Sequence, residues 1–230
     1  MTTVLITGAN RGLGLEFVTR YLERGDKVIA TCRSIPSATA LQKLAAANAG
    51  LQLLELDVSS PDSHVAFVSQ LKGEAVDVFI NNAGVYGPRN SGFGQVTAED
   101  WLGVLMVNSV APLLLTQHLI DNLRKGQDKK LVYITSKMGS VDDNTGGGSY
   151  VYRSSKSALN QVVRSLSVDL AKEGFVAAVL HPGWVKTDMG GPNALIDTRT
   201  SIKGMMAVID SLDSGASGRF FNYDGKEIPW

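Results

Sequence analysis

The sequence predicts an α/β protein, a doubly wound, parallel, seven-stranded sheet with helices on both faces, in a single domain over residues 1–230. Three observations carry this prediction. Short β-branched apolar runs alternate with helical patterns for nearly the whole length, and that alternation builds a parallel sheet covered on both sides. The first run, Thr3–Thr7, breaks into a glycine loop followed by an amphipathic pattern through Val18, Tyr21 and Leu22. Short polar and glycine signals then recur just after later runs, where open α/β sheets take their ligands.

Taken in order, the predicted strands are Thr3–Thr7, Lys27–Thr31, Leu51–Leu56, Val76–Ile80, Lys130–Thr135, Val176–Leu180 and Arg219–Phe221. Helices are expected near Gly12–Glu23, Pro36–Asn48, Pro61–Leu71, Ala98–Leu123, Tyr150–Lys172 and Thr198–Leu212. Boundary chemistry supports several of these. Gly25 stops the first helix, Ser59-Ser60-Pro61-Asp62 starts the third, and Gly174 ends the fifth. Ser140–Ser149, with Gly146-Gly147-Gly148, reads as a mobile or tightly turning loop. The region of about 184–212 reads as a substrate loop. There is no internal repeat and no low-complexity tract.

Bulk properties narrow the function classes. The 22 basic and 22 acidic residues cancel and no basic block stands out, which argues against a nucleic-acid or anionic-membrane partner. No apolar stretch approaches the ~18 residues of a spanning helix. A strand that begins almost at Met1 leaves no room for a signal peptide. The single cysteine, Cys32, has no internal disulfide partner, so the expected compartment is a reducing cytoplasm. His64, His118 and His181 are scattered without ligand spacing, so no metal site is expected.

Chemistry concentrates at two places. Tyr152 and Lys156 stand four residues apart, on one face if the segment is helical. A nearby positive charge lowers a phenol's pKa, which makes the pair a tuned acid/base. Taken alone, the pair reads as well as a core tyrosine beside a solvated lysine. At the N-terminus, Gly8-Ala9-Asn10-Arg11-Gly12-Leu13-Gly14 runs from strand to helix, the arrangement that lets backbone and helix N-terminus approach a pyrophosphate. The alternative there is a turn that uses glycine only for its backbone angles. Asn81-Asn82-Ala83-Gly84, Ser136 and Pro182-Gly183-Trp184 all follow strands, so they fall at the same sheet edge.

Together these motifs resemble the short-chain dehydrogenase/reductase family over essentially the whole chain, in the right order and at workable distances. The matching pieces are Thr7–Gly14, Asp57-Val58, Asn81–Gly84, Asn108, Ser136, Tyr152-x-x-x-Lys156 and Pro182–Thr187. Met138-Gly139-Ser140 and Arg219–Gly225 resemble its C-factor/Sniffer-like carbonyl reductase branch. The resemblance implies a Rossmann-like fold and hydride transfer between a nicotinamide and a carbonyl or secondary alcohol. It implies that Tyr152 exchanges a proton with the substrate oxygen and that Ser136 holds that oxygen. Lys156 would lower the Tyr152 pKa and bond the nicotinamide ribose, and Asn108 would bind a water linked to Lys156. An Asn in a long helix that only bonds a neighbouring carbonyl is the plainer reading of Asn108.

The same resemblance places Gly8, Asn10, Arg11, Gly12, Leu13 and Gly14 around the pyrophosphate. Asp57 and Val58 fall at the adenine, with Asp57 accepting its amino group unless it only caps a turn. Asn82, Ala83 and Gly84 fall by the adenosine ribose, and Pro182, Gly183, Val185 and Thr187 by the carboxamide. Asn81 is expected to steady the central strands. No carboxylate follows the second strand, where an NAD enzyme places one. Arg33 stands there instead, and with Arg11 could bracket a 2′-phosphate. NADP(H) is therefore the expected cofactor, with NAD(H) the alternative. Trp184 and Met189 border the substrate pocket, whereas Val104, Met106 and Val107 read as core and Cys32 as a small filler. The expected assembly is a homodimer, with a tetramer as alternative, because the two longest helices commonly pair in this family. A dinucleotide-binding signalling or regulatory protein is the rival from another class.

Overall fold

The computed structural model describes residues 1–230. Its strands are β1 (Thr3–Ile6), β2 (Lys27–Cys32), β3 (Leu51–Glu55), β4 (Val78–Asn81), β5 (Lys130–Ile134), β6 (Val176–His181) and β7 (Phe220–Asn222). All pair in parallel, in the order β3-β2-β1-β4-β5-β6-β7. The chain winds outward one way through β2 and β3, then returns to β4 on the other side of β1. That reversal opens a crevice at the carboxyl ends of β1 and β4, the ligand position of such sheets.

Strand periodicity explains the two-sided core. Val4, Ile6, Val28, Ala30, Val78, Ile80, Val132 and Ile134 face one layer. Leu5, Ile29, Phe79, Leu131 and Tyr133, from the alternate positions, face the other. The first layer receives α1 (Gly12–Glu23), α2 (Thr39–Ala47) and α7 (Thr198–Ser211) through Phe17, Tyr21, Leu41, Ile202 and Met205. The second receives α3 (Pro61–Gln70), α5 (Ala111–Arg124) and α6 (Tyr150–Asp169). In α5 the stripe is Leu115, Leu119, Leu123, and in α6 it is Leu159, Val163, Leu166, both at helical spacing.

Strand ends shift by one or two residues, as in β4 and β7, and three helical segments differ from expectation. The second helix begins at Thr39, not Pro36, because residues 35–37 form a separate turn closed by the Ala38 N–H donating to the Ile35 carbonyl at 2.9 Å. The long fifth predicted helix ends at Asp169, and a separate 3-10 turn, Ala171–Glu173, completes the approach to Gly174. Between α4 (Ala98–Leu105) and α5 lies a π-helical segment, Met106–Val110. Pro112 has no N–H to give the carbonyl of Asn108, so an unbroken α-helical ladder is impossible there. Ser60 caps α3 by accepting from the Ser63 N–H, as its Ser-Pro-Asp start predicted. In the glycine-rich loop, Gly147 and Gly148 take positive φ, so it turns tightly.

One exclusion needs correcting. The continuous helix Ala98–Arg124 reaches a mean hydropathy of 1.4, enough by length and composition to cross a membrane, and 44% of that window is buried inside the fold. Part of its apolarity is the stripe that packs on the sheet, and part, at Trp101, Leu102 and Val110, stays exposed. Val104 is core as expected, whereas Met106 and Val107 are only half-buried.

Candidate active site

The crevice is built from strand ends. Thr7, just past β1, is fully buried, and its Oγ1 accepts the N–H groups of Asn82 and Ala83, each at 3.0 Å. Asn82 Nδ2 donates back to the carbonyls of Thr7 at 2.9 Å and Gly8 at 3.1 Å. Asn82 and Thr7 therefore tie β1 to the segment after β4, while Asn81 pairs with Tyr133 in the β4–β5 ladder. Gly14 must be glycine for space, since a Cβ there would overlap the Gly8 carbonyl and lie 2.7 Å from Asn82 Nδ2. The N-terminus of α1 has no side-chain cap and no acidic residue in its first turn. Its free N–H groups and dipole are left for an anion. On these grounds the cradle fits a dinucleotide pyrophosphate.

Around this cradle, Asp57 Oδ1 accepts the N–H and hydroxyl of Ser59 at 2.9 and 2.6 Å, closing a turn. Those bonds, and the nearby Arg33 charge, hold its carboxyl below the usual range. Asp57 is thus the turn-former, and Ser60 the helix cap. The two arginines do not face one point here. Arg33 is exposed beside Asp57, whereas Arg11 reaches across to Asp188, Nη1 to Oδ2 at 2.7 Å. Gly12 lies against Thr187, which brings the Pro182–Thr187 turn to the glycine loop.

On the other side of the crevice, α6 carries Tyr152 and Lys156, both buried, at 7% and 5% exposure. Ser136, at the end of β5, is 8% exposed and accepts the Met138 N–H at 3.1 Å. Lys156 Nζ donates to the Ile134 carbonyl at 2.9 Å and lies 5.9 Å from the centre of the Tyr152 ring. Burial lowers the Lys156 ammonium to about 8. Burial also pushes the Tyr152 phenol up to about 12, and the neighbouring Ser136 hydroxyl only partly offsets this. In this structure desolvation, not the Lys156 charge, sets the direction of the phenol's shift. The ammonium is directed at a backbone carbonyl, and desolvation dominates. That direction favours the protonated phenol at neutral pH.

Asn108 is brought to the same place, 1% exposed, but its amide is engaged. Oδ1 accepts the Val85 N–H at 2.9 Å, while Nδ2 donates to the Val85 carbonyl at 2.8 Å and Ser155 Oγ at 3.0 Å. The side chain docks the segment after β4 onto α6, through partners distant in sequence and not through a carbonyl of its own helix. Several partners escaped the sequence reading. Tyr86 stacks on Tyr152, with centroids 4.5 Å apart and planes at 28°, and its hydroxyl meets Ser149 Oγ at 3.1 Å. Gly139 packs so tightly on α6 that a Cβ would sit 2.8 Å from Lys156 Cβ. Trp184 and Met189 are half-exposed, at 50% and 46%, consistent with a pocket border. His64 and His118 meet edge to face with ring centres 5.8 Å apart, His181 stands at the end of β6, and no group of three or more metal-ligating side chains forms.

A family model of short chain dehydrogenases matches residues 2–195. A curated relative, the C-signal of Myxococcus xanthus, is 48% identical over 165 residues, covering 72% of this chain and 99% of the relative. Among solved structures, the carbonyl reductase Sniffer of D. melanogaster superposes with a TM-score of 0.93 at 36% identity, covering all of both chains. The NADPH-bound carbonyl reductase from chicken fatty liver superposes with a TM-score of 0.94 at 36% identity, covering 100% of this chain and 99% of that one. The glycine cradle, the strand-end cluster and these matches place the chain in the short-chain dehydrogenase/reductase family. Within it, the chain falls on the carbonyl reductase, Sniffer-like side.

Proposed function

We propose that this chain is an NADP(H)-dependent carbonyl reductase whose proton donor is Tyr152. The observation that carries the reading is that Tyr152, Ser136 and Lys156 lie buried together at the sheet edge that also holds the glycine cradle. Bound NADPH supplies the hydride. Tyr152 would give its proton to the carbonyl oxygen, while the Ser136 hydroxyl holds that oxygen and stabilises its developing charge. Lys156 would present its ammonium near the ribose and the phenol. Gly8, Asn10, Arg11, Gly12, Leu13 and Gly14 would hold the pyrophosphate, Arg33 the 2′-phosphate, and Asp57 and Val58 the adenine. Asn82, Ala83 and Gly84 would flank the ribose, and Pro182, Gly183, Val185 and Thr187 the nicotinamide. Two NADP(H)-bound relatives of carbonyl reductase type support this choice of dinucleotide.

The test is steady-state NADPH oxidation with a panel of aldehydes and ketones. Turnover with at least part of the panel is expected. Tight dinucleotide binding without turnover would favour the second reading, a dinucleotide-responsive signalling protein, for which the 48% identity to a C-signal speaks.

A further inference from the structure

After β7 the chain turns back beside it. The Asn222 N–H donates to the Lys226 carbonyl at 2.7 Å and the Ile228 N–H to the Phe220 carbonyl at 2.8 Å. This return brings Trp230 to the loop that joins Ser136 to Tyr152. Its ring packs on the buried Phe220, with centroids 5.7 Å apart. Its main-chain oxygen accepts three hydrogen bonds, from the N–H groups of Val141 and Asp142, each at 3.0 Å, and from Ser140 Oγ at 3.2 Å. Two successive N–H groups and a hydroxyl converging on one oxygen hold the start of that loop from outside it.

What lies on the near side of this clasp is the catalytic cluster. Ser140 is 1% exposed and follows Gly139, whose carbonyl accepts Ser157 Oγ at 2.8 Å and Asn160 Nδ2 at 3.2 Å. Gly139 in turn abuts Lys156, and Ser136 begins the same short turn. The segment from Ser136 to Ser140 is thus held between α6 and Trp230. Beyond Ser140 the loop is exposed until Gly148, and its start is otherwise tied by the Asp143 N–H, which donates to Ser140 Oγ at 3.1 Å, and by one ion pair. The Lys137–Asp143 ion pair, at 3.0 Å, is half-exposed and contributes little by itself.

We propose that Trp230 is a positioning residue of the active site, pinning Ser140–Asp142 so that the Ser136 hydroxyl stays in register with Tyr152. The kinetic part of its test rests on the carbonyl reductase reading, and the structural part does not. The experiment compares Trp230→Ala, Trp230→Phe and Ser140→Ala in the full chain. It measures KM and kcat for a carbonyl substrate, NADPH affinity by fluorescence titration, and the rate of subtilisin cleavage within residues 140–149. In Trp230→Ala, kcat/KM should fall about 10- to 100-fold with a raised carbonyl KM, the effect expected of a small misplacement of reacting groups. Cleavage should quicken while NADPH affinity stays unchanged, because the glycine cradle lies elsewhere. Trp230→Phe, which keeps the ring contact, should restore both, and Ser140→Ala should reproduce the changes more weakly. Wild-type kinetics and wild-type cleavage in Trp230→Ala would overturn the proposal. So would a loss of kcat alone that tracks a smaller folded fraction. If Trp230→Ala does not fold, Ser140→Ala decides in the same way. A wild-type chain that turns over no carbonyl would defeat the reductase reading, and the cleavage rates would still judge the clasp.

Discussion

At the scale of single residues, the site depends on groups that burial has moved away from their solution behaviour. Tyr152 is kept protonated by desolvation, so replacing it with Phe removes the transferable proton while preserving the ring that stacks on Tyr86. Tyr152→Phe should lower kcat by about 10²- to 10⁴-fold and leave NADPH binding intact. A variant that kept most of the wild-type rate would show that the proton comes from another group. His181, at the end of β6, gives a second prediction. Its Nδ1 is buried without a partner, and burial lowers the imidazole from 6.5 to about 4. Between those values the unfolded chain binds the proton and the folded chain does not. Stability is therefore lost as pH falls from 6.5 towards 4, by at most about 3 kcal/mol from this group. Thermal melts of His181→Asn should show a shallower decline across that window than wild type. Parallel curves would refute the assignment.

At the scale of elements, close approach between backbones decides what the loops can hold. The start of α1 reaches the end of β1 only because Gly14 has no side chain. Gly14→Ala sets a methyl against backbone and the Asn82 amide, and overpacking of that kind costs about 1–3 kcal/mol. Dinucleotide affinity should fall at least about tenfold, as 1.4 kcal/mol is a factor of ten. A binding titration with an unchanged Kd would mean that the helix start can shift freely. Cofactor choice belongs to the turn after β2. Replacing Cys32 with Asp and Arg33 with Ala should reduce or reverse the preference for NADPH over NADH. A hydrogen bond to a charged group contributes about 1.5–3 kcal/mol, so the ratio of cofactor KM values should move by about tenfold or more. An unaltered ratio would assign the 2′-phosphate to other residues.

At the scale of the whole molecule, the long helix Ala98–Arg124 has one face on the sheet and another in solvent. Trp101, Leu102 and Val110 remain 38%, 67% and 44% exposed along it. Large apolar side chains gathered along one helix suit an isologous interface. Light scattering at micromolar concentration should therefore give twice the 24.5 kDa chain mass, and Leu102→Arg should return it to the monomer value. A monomer mass for the wild-type chain would remove this assembly.

The strands, their order of chemistry and the edge at which ligands bind were legible from the sequence alone. Each of these follows from local signals: β-branched runs, glycines at strand-to-helix turns and caps such as Ser60. The pair Tyr152 and Lys156 was legible for the same reason, since i,i+4 spacing on a helix is a local property. Tertiary structure alone decided what those groups experience. Whether Lys156 lowers the phenol depends on where its ammonium points, and it points to the Ile134 carbonyl. Whether Asn108 is free depends on Val85 and Ser155, distant in sequence. Nothing local announces that Tyr86 stacks on Tyr152, that Arg11 meets Asp188, or that Trp230 reaches Ser140 across 90 residues. Periodicity and spacing report a chain's own neighbours. Desolvation, charge pairing and long-range hydrogen bonds arise only when separate segments exclude water together.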